Sequence, residues 1–195
     1  MPVTINGNGS IAGLSVGGLG SGVVNTATLA NCAASGSKLT MPTGSVIQTI
    51  SFIKKDVGTY AATNGSFTAT GMSVTITPSS TSNKFLILAN LLLGNSGNNS
   101  TQIKLYRGTS EITAANSTGV TNKAFIWTYI PQSGDNPTYM NMHTGGGYEH
   151  DIQDTNSHEF NLYINSFNTT AYINRRGYSA DYGGTSSLTV MEIKG

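Results

Sequence analysis

The sequence predicts an all-β chain, a jelly-roll-like antiparallel β-sandwich preceded by an extended, Gly/Ser-rich N-terminal arm. Three observations lead there. Gly, Ser, Thr and Asn make up nearly half of the 195 residues, and charged residues are only 10%, against roughly 25% in ordinary soluble domains. Such a chain is poor in helix formers and rich in turn formers. From Ser45 onward, β-branched and aromatic runs alternate with Gly/Asn/Ser clusters, which is the signature of short strands joined by turns. Where the apolar residues are periodic, the period is that of strands.

The first 44 residues differ from the rest. Val3, Ile5, Ile11, Leu14, Val16, Leu19, Val23 and Val24 stand singly between glycines and small polar residues, a pattern that cannot bury a core of its own. The expected division is an attachment arm over 1–44 and a sandwich over 45–195. Within the arm, Ile11, Leu14, Val16 and Leu19 are the candidate anchoring residues, suited to pairing with the sheet edge of a partner. A flexible linker is the alternative.

About eight strands follow. SVIQTISFIK (45–54) is the first. SFTATGMSVTITP (66–78) is the second, with Val74 and Ile76 alternating with Ser73, Thr75 and Thr77 until Pro78 and SSTSN turn the chain. KFLILANLLLG (84–94) is almost wholly apolar, so it is expected at the centre of a sheet, covered on both faces or by a neighbouring subunit. Phe85, Leu86, Ile87 and Leu88 are therefore the candidate oligomer core. TQIKLYRGTSEI reads as a hairpin turning at Arg107-Gly108-Thr109-Ser110. AFIWTYI (124–130), EFNLYINSF (159–167), TAYINRRG (170–177) and SLTVMEIKG (187–195) complete the set. Phe160, Leu162 and Ile164 are expected on one face, and Leu188, Val190 and Glu192 opposite Thr189, Met191 and Ile193. The polar, Gly-rich stretch 131–157 reads as long loops with at most one short strand, and loops are where binding residues concentrate.

Composition excludes several function classes. The net charge is +1 without a basic block, so no nucleic-acid partner and no acidic membrane surface is expected. Cys32 is the only cysteine, which leaves neither an internal disulfide nor a cysteine-built zinc site. The beginning of the chain shows no basic leader with an apolar core, and no segment has the length of a membrane span; synthesis in the cytoplasm is the expectation. Gly17-Gly18-Leu19-Gly20 and Gly145-Gly146-Gly147 lack the strand, helix and Lys-Ser/Thr context of a phosphate loop.

Titratable residues concentrate at Asp135, His143, Glu149, His150, Asp151, Asp154, His158 and Glu159. Paired carboxylates hydrolyse glycosides and histidines with carboxylates bind metals, but this spacing fits no known ligand or helix-face motif. The sequence thus predicts no enzyme, no catalytic residue and no cofactor, with these groups keeping polar loops soluble. A metal on an oligomer axis, held by His143, His150 or His158 of each subunit, stays open. Tyrosines crowd the last third. Tyr combines a flat apolar ring with a hydroxyl, so Tyr139, Tyr148, Tyr178 and Tyr182 are the candidate receptor or partner contacts.

SIAGLSVGGLGSGVV near the start, PTGSVIQTIS, VTITPSSTSNKFLIL, KLYRGTSEI, YINRRG and the closing SSLTVMEIKG together resemble a family of phage-encoded (cyanophage-like) tail-fibre and virion structural proteins. The resemblance covers most of the chain. It implies a β-sandwich, homotrimeric, displayed on a tail or capsid and joined to other virion proteins through the arm. The chain lacks a heptad stalk or triple-helical repeat, which favours a short fibre, a fibre head or a capsid decoration protein over a shaft. The alternative function is a carbohydrate-binding receptor module, with host-surface glycan held by the loops around Tyr139 to Asp151.

Overall fold

A computed structural model describes residues 4–5, 11–12, 41–130 and 140–195. Contacts divide the chain into a unit over Met1–Met41 and a unit over Pro42–Gly195. In the first, β1 (Thr4–Ile5) pairs antiparallel with β2 (Ile11–Ala12), Ile5 opposite Ile11. Leu14, Val16 and Leu19 lie outside the described residues.

The second unit is all-β. Its strands are β3 (Val46–Lys54), β4 (Gly58–Tyr60), β5 (Thr68–Ile76), β6 (Lys84–Asn95), β7 (Ser100–Arg107), β8 (Ser110–Glu111), β9 (Ile126–Tyr129), β10 (Asn141–Asp151), β11 (His158–Ser166), β12 (Ala171–Ile173) and β13 (Ser186–Ile193). One 3₁₀ turn, Thr113–Ala115, follows β8. β6 is central to one sheet: β10 pairs along one edge, while β13 and then β12 share the other. β3 lies outside β13, and β4 outside β12. The second sheet runs β5, β11, β7, with β9 and β8 sharing the far edge of β7.

Without the short β4, β8 and β12, the sheets read β10-β6-β13-β3 and β9-β7-β11-β5. In chain order, the eight strands alternate between sheets except at β7–β9, and all pairings are antiparallel. This is the wiring of an eight-stranded jelly roll, two Greek keys folded face to face.

The inner faces follow from alternation. Phe85, Ile87, Leu91 and Leu93 of β6 meet Phe160, Leu162 and Ile164 of β11, Ile103 and Leu105 of β7, Met72, Val74 and Ile76 of β5, and Leu188 and Val190 of β13. At roughly 1.5–3 kcal/mol for each fully buried large side chain, this layer is the main favourable term. Phe85 and Ile87 therefore belong to the interior of the sandwich and are not an oligomer core. Only Leu86 and Leu88 of that quartet face outward.

The stretch read as loops contains the eleven-residue strand β10. Its glycines explain both the missed strand and its placement. Gly145, Gly146 and Gly147 show no side-chain alternation. A Cβ on Gly146 would lie 2.9 Å from Ile126 Cγ1, and one on Gly145 2.9 Å from the Ala89 carbonyl. The edge strands β9 and β10 close against each other because Gly146 carries no side chain.

Candidate functional site

Glu192 sits on β13, fully buried, at the end of the sandwich. Its Oε1 accepts from Ser79 N and Oγ, each at 2.8 Å, and from Asn83 Nδ2 at 2.6 Å; its Oε2 accepts from Gln48 Nε2 at 2.5 Å. Burial pushes the carboxyl pKa up, but the hydrogen bonds of Asn83, Gln48 and Ser79 outweigh it, and the net direction is down. Gln48 and Glu192 are direct partners across β3 and β13. Three stretches far apart in the sequence, GSVIQ, PSSTSN and TVMEI, thus converge on one carboxylate. A second convergence is Asn174 of YINRRG, at φ +68. Its Nδ2 donates to the carbonyls of Lys54 and Asp56, and its Oδ1 accepts from Ser186 Oγ at 2.6 Å. Both arrangements fasten strands to one another and present no reactive atom.

Sheet pairing sends Leu86, Leu88, Thr189, Met191 and Ile53 to the outer face of the β6 sheet, with Gly145 and Gly147 beside Leu88. Leu88 is 38% and Ile53 56% exposed. Further along β6, Leu92 is buried against Gly184 of the loop before β13. Lys84 pairs with Glu149 at 2.5 Å at the other end. The open stretch between them mixes Leu86, Leu88, Met191 and Ile53 with Asn90, Ser51 and Thr189, the last two joined by a 2.9 Å hydrogen bond.

The other sheet's outer face is different. Tyr106 and Tyr163 stack at 4.0 Å, and Lys104 lies 4.5 Å over the Phe67 ring. Gln102 and Asn165 are buried beneath, joined by a 3.2 Å hydrogen bond from Asn165 Nδ2. At the edge, Trp127 and Tyr129 project outward from β9, 54% and 43% exposed, with centroids 6.5 Å apart and planes 16° apart. Trp127 lines a cavity of about 480 Å³ with Val120, Thr121 and Asn122. Thr121 also borders a second, polar cavity of about 590 Å³ lined by Lys104, Glu111, Asn116 and Lys123. Sequence reading missed this groove. Its available signal was the chain's single Trp placed two residues from Tyr129, hence on the same face of a strand.

The candidate contacts separate. Tyr139 lies outside the described residues. Tyr148 points inward from β10 and packs against the core, so it is not a loop contact. Tyr178 and Tyr182 are exposed, and the Arg176 guanidinium lies 5.7 and 4.0 Å from their ring centroids. The three histidines also part. His143 is exposed and points outward, whereas His150 and His158 point inward beside Phe160 and Phe85. No group of three His, Cys, Asp or Glu suited to a metal occurs among the described residues, and no helix among them is long and apolar enough to cross a membrane. The chain matches no known family model and none of the curated proteins.

Proposed function

We propose that the chain is a bacteriophage virion structural protein without enzymatic activity: a short fibre, fibre head or capsid-surface component. Its jelly roll associates with copies of itself as a trimer, and its first 44 residues join other virion proteins. The observation that carries this reading is the outer face of the β6 sheet, where the apolar side chains of Leu86, Leu88, Met191 and Ile53 are left outside the core beside Gly145 and Gly147. Burying such a face contributes about 25 cal/mol per Å², and closed symmetry covers it without leaving open ends. Support also comes from the wiring, since jelly rolls recur in capsid proteins as well as lectins, though a fold alone assigns no function.

The test is the mass of the intact protein by light scattering coupled to size exclusion. A trimer that becomes a folded monomer in Leu88→Asp is the expected result, because Leu88 is partly exposed and its replacement leaves the core intact. A wild-type monomer at all concentrations, or a Leu88→Asp trimer, refutes the association face. Removing residues 1–43 is expected to leave the trimer intact and abolish its incorporation into particles.

A further inference from the structure

We infer that the groove beside Trp127 binds a carboxylated glycan, its pyranose ring on the Trp127 and Tyr129 platform and its acidic group at Lys123. This site lies on the opposite sheet from the association face and does not depend on it.

The first argument is shape. Trp127 and Tyr129 are two exposed rings with centroids 6.5 Å apart and planes within 16° of parallel, and Trp127 lines the cavity. Trp and Tyr suit such positions because one side is apolar and the other wet. A ligand that covers them while meeting polar groups at its rim needs an apolar face and a hydroxylated edge, as a sugar has.

The second argument is an unmet acceptor. Asn116 is only 8% exposed and lines the polar cavity. Its Nδ2 donates to Glu111 Oε1 at 2.6 Å. Turning the amide over would set two acceptors against each other, so the orientation is fixed, and Oδ1 is left buried without a partner. A buried acceptor with no donor costs about 1–3 kcal/mol. The polar cavity is thus lined by a residue whose acceptor the protein leaves unmet, a need that a hydroxylated ligand answers.

The third argument is charge. The cavity holds Lys104, Lys123 and Glu111. Glu111 is already neutralised by Lys104 at 2.8 Å, which leaves Lys123 as the uncompensated charge. A carboxylate on the ligand complements it, and a neutral glycan does not.

Trp127 is the only tryptophan, so the intrinsic fluorescence of the intact protein reports on the site directly. Oligogalacturonate and sialyllactose serve as the carboxylated probes and separate a uronate from a sialate source; maltohexaose is the neutral control. The expected result is a saturable change in emission with one of the carboxylated probes and at least tenfold weaker response to maltohexaose. Lys123→Gln, on an exposed residue, is expected to weaken binding about three- to fivefold, and Asn116→Ala to weaken it further. No saturable response to any probe, equal affinity for the neutral one, or an unchanged affinity in Lys123→Gln overturns the inference. Loss of the oligomer in Trp127→Ala also overturns it, because the groove would then seat a protein chain.

Discussion

On the sheet centred on β6, the large residues turned away from the core are the aliphatic Leu86, Leu88, Met191 and Ile53, set among Gly145, Gly147, Thr189, Ser51 and Asn90. On the sheet centred on β11 the large ones are the aromatic Tyr106, Tyr163, Trp127 and Tyr129, set beside Lys104 and Asn161 and a buried Gln102–Asn165 pair. The inner faces of the two sheets are chemically alike, both mainly aliphatic and aromatic. The outer faces are not, although both belong to strands with the same alternation. A surface of aliphatic side chains and glycines offers area and flatness, which suits a copy of itself. Rings interspersed with amides and paired charges offer direction as well as area, which suits a polar ligand. Polarity on the far side of a strand is free to vary once the near side has satisfied the core, so the outer faces carry the functional information.

The largest expected effect comes from removing what both faces depend on. Glu192→Ala leaves Asn83, Ser79 and Gln48 without their acceptor in a buried site, a loss of about 2–4 kcal/mol in urea-induced unfolding. Because its carboxyl pKa is held down, the contribution is present at neutral pH and fades as pH falls through the carboxylate range. The mass of the proposed trimer and the Trp127 response to ligand are expected to be lost together. If one survives without the other, the two faces do not share a scaffold. A loss below 0.5 kcal/mol would mean that solvent reaches the freed donors.

Sequence reading recovered the parts of the fold in which alternation is written in side chains. Phe160, Leu162 and Ile164, like Leu188 and Val190, are buried as their spacing requires. It placed β6 at the centre of its sheet because eleven consecutive residues are nearly all apolar, but it could not tell Phe85 and Ile87 from Leu86 and Leu88, since every position is hydrophobic. It lost β10 because Gly145, Gly146 and Gly147 have nothing to alternate and because an edge strand needs only one partner. The groove was hidden for another reason. Asn116 and Lys123 belong to the connection between β8 and β9, and the segment's approach to Trp127 depends on the tertiary fold, not on local spacing. The stretches GSVIQ, PSSTSN, TVMEI and YINRRG mark the fastening of strands at Glu192 and Asn174, so they bear on architecture and leave the outer surfaces unread.

The smallest expected effect concerns β10, which belongs to the aliphatic sheet. His150 points inward from it, 5.6 Å from the Phe160 ring, with its Nε2 buried and unpartnered. Burial first, then the positive charge of Arg107 and the neighbouring His158, hold its pKa below the usual 6.5, against a smaller opposing pull from Asp151. The unfolded chain therefore takes up this proton at a higher pH than the native one, so stability is complete above 6.5 and declines as pH falls below it. The urea midpoint is expected to be lower at pH 5.5 than at pH 7.5, and His150→Phe, which keeps a ring beside Phe160, is expected to flatten that slope. Since the outward residues of β10 include Gly145, Gly147 and Glu149, acid is expected to loosen the proposed trimer before it alters the Trp127 signal. Equal slopes in wild type and His150→Phe would assign the acid sensitivity to other groups, and simultaneous loss of both signals would remove the separation between the faces.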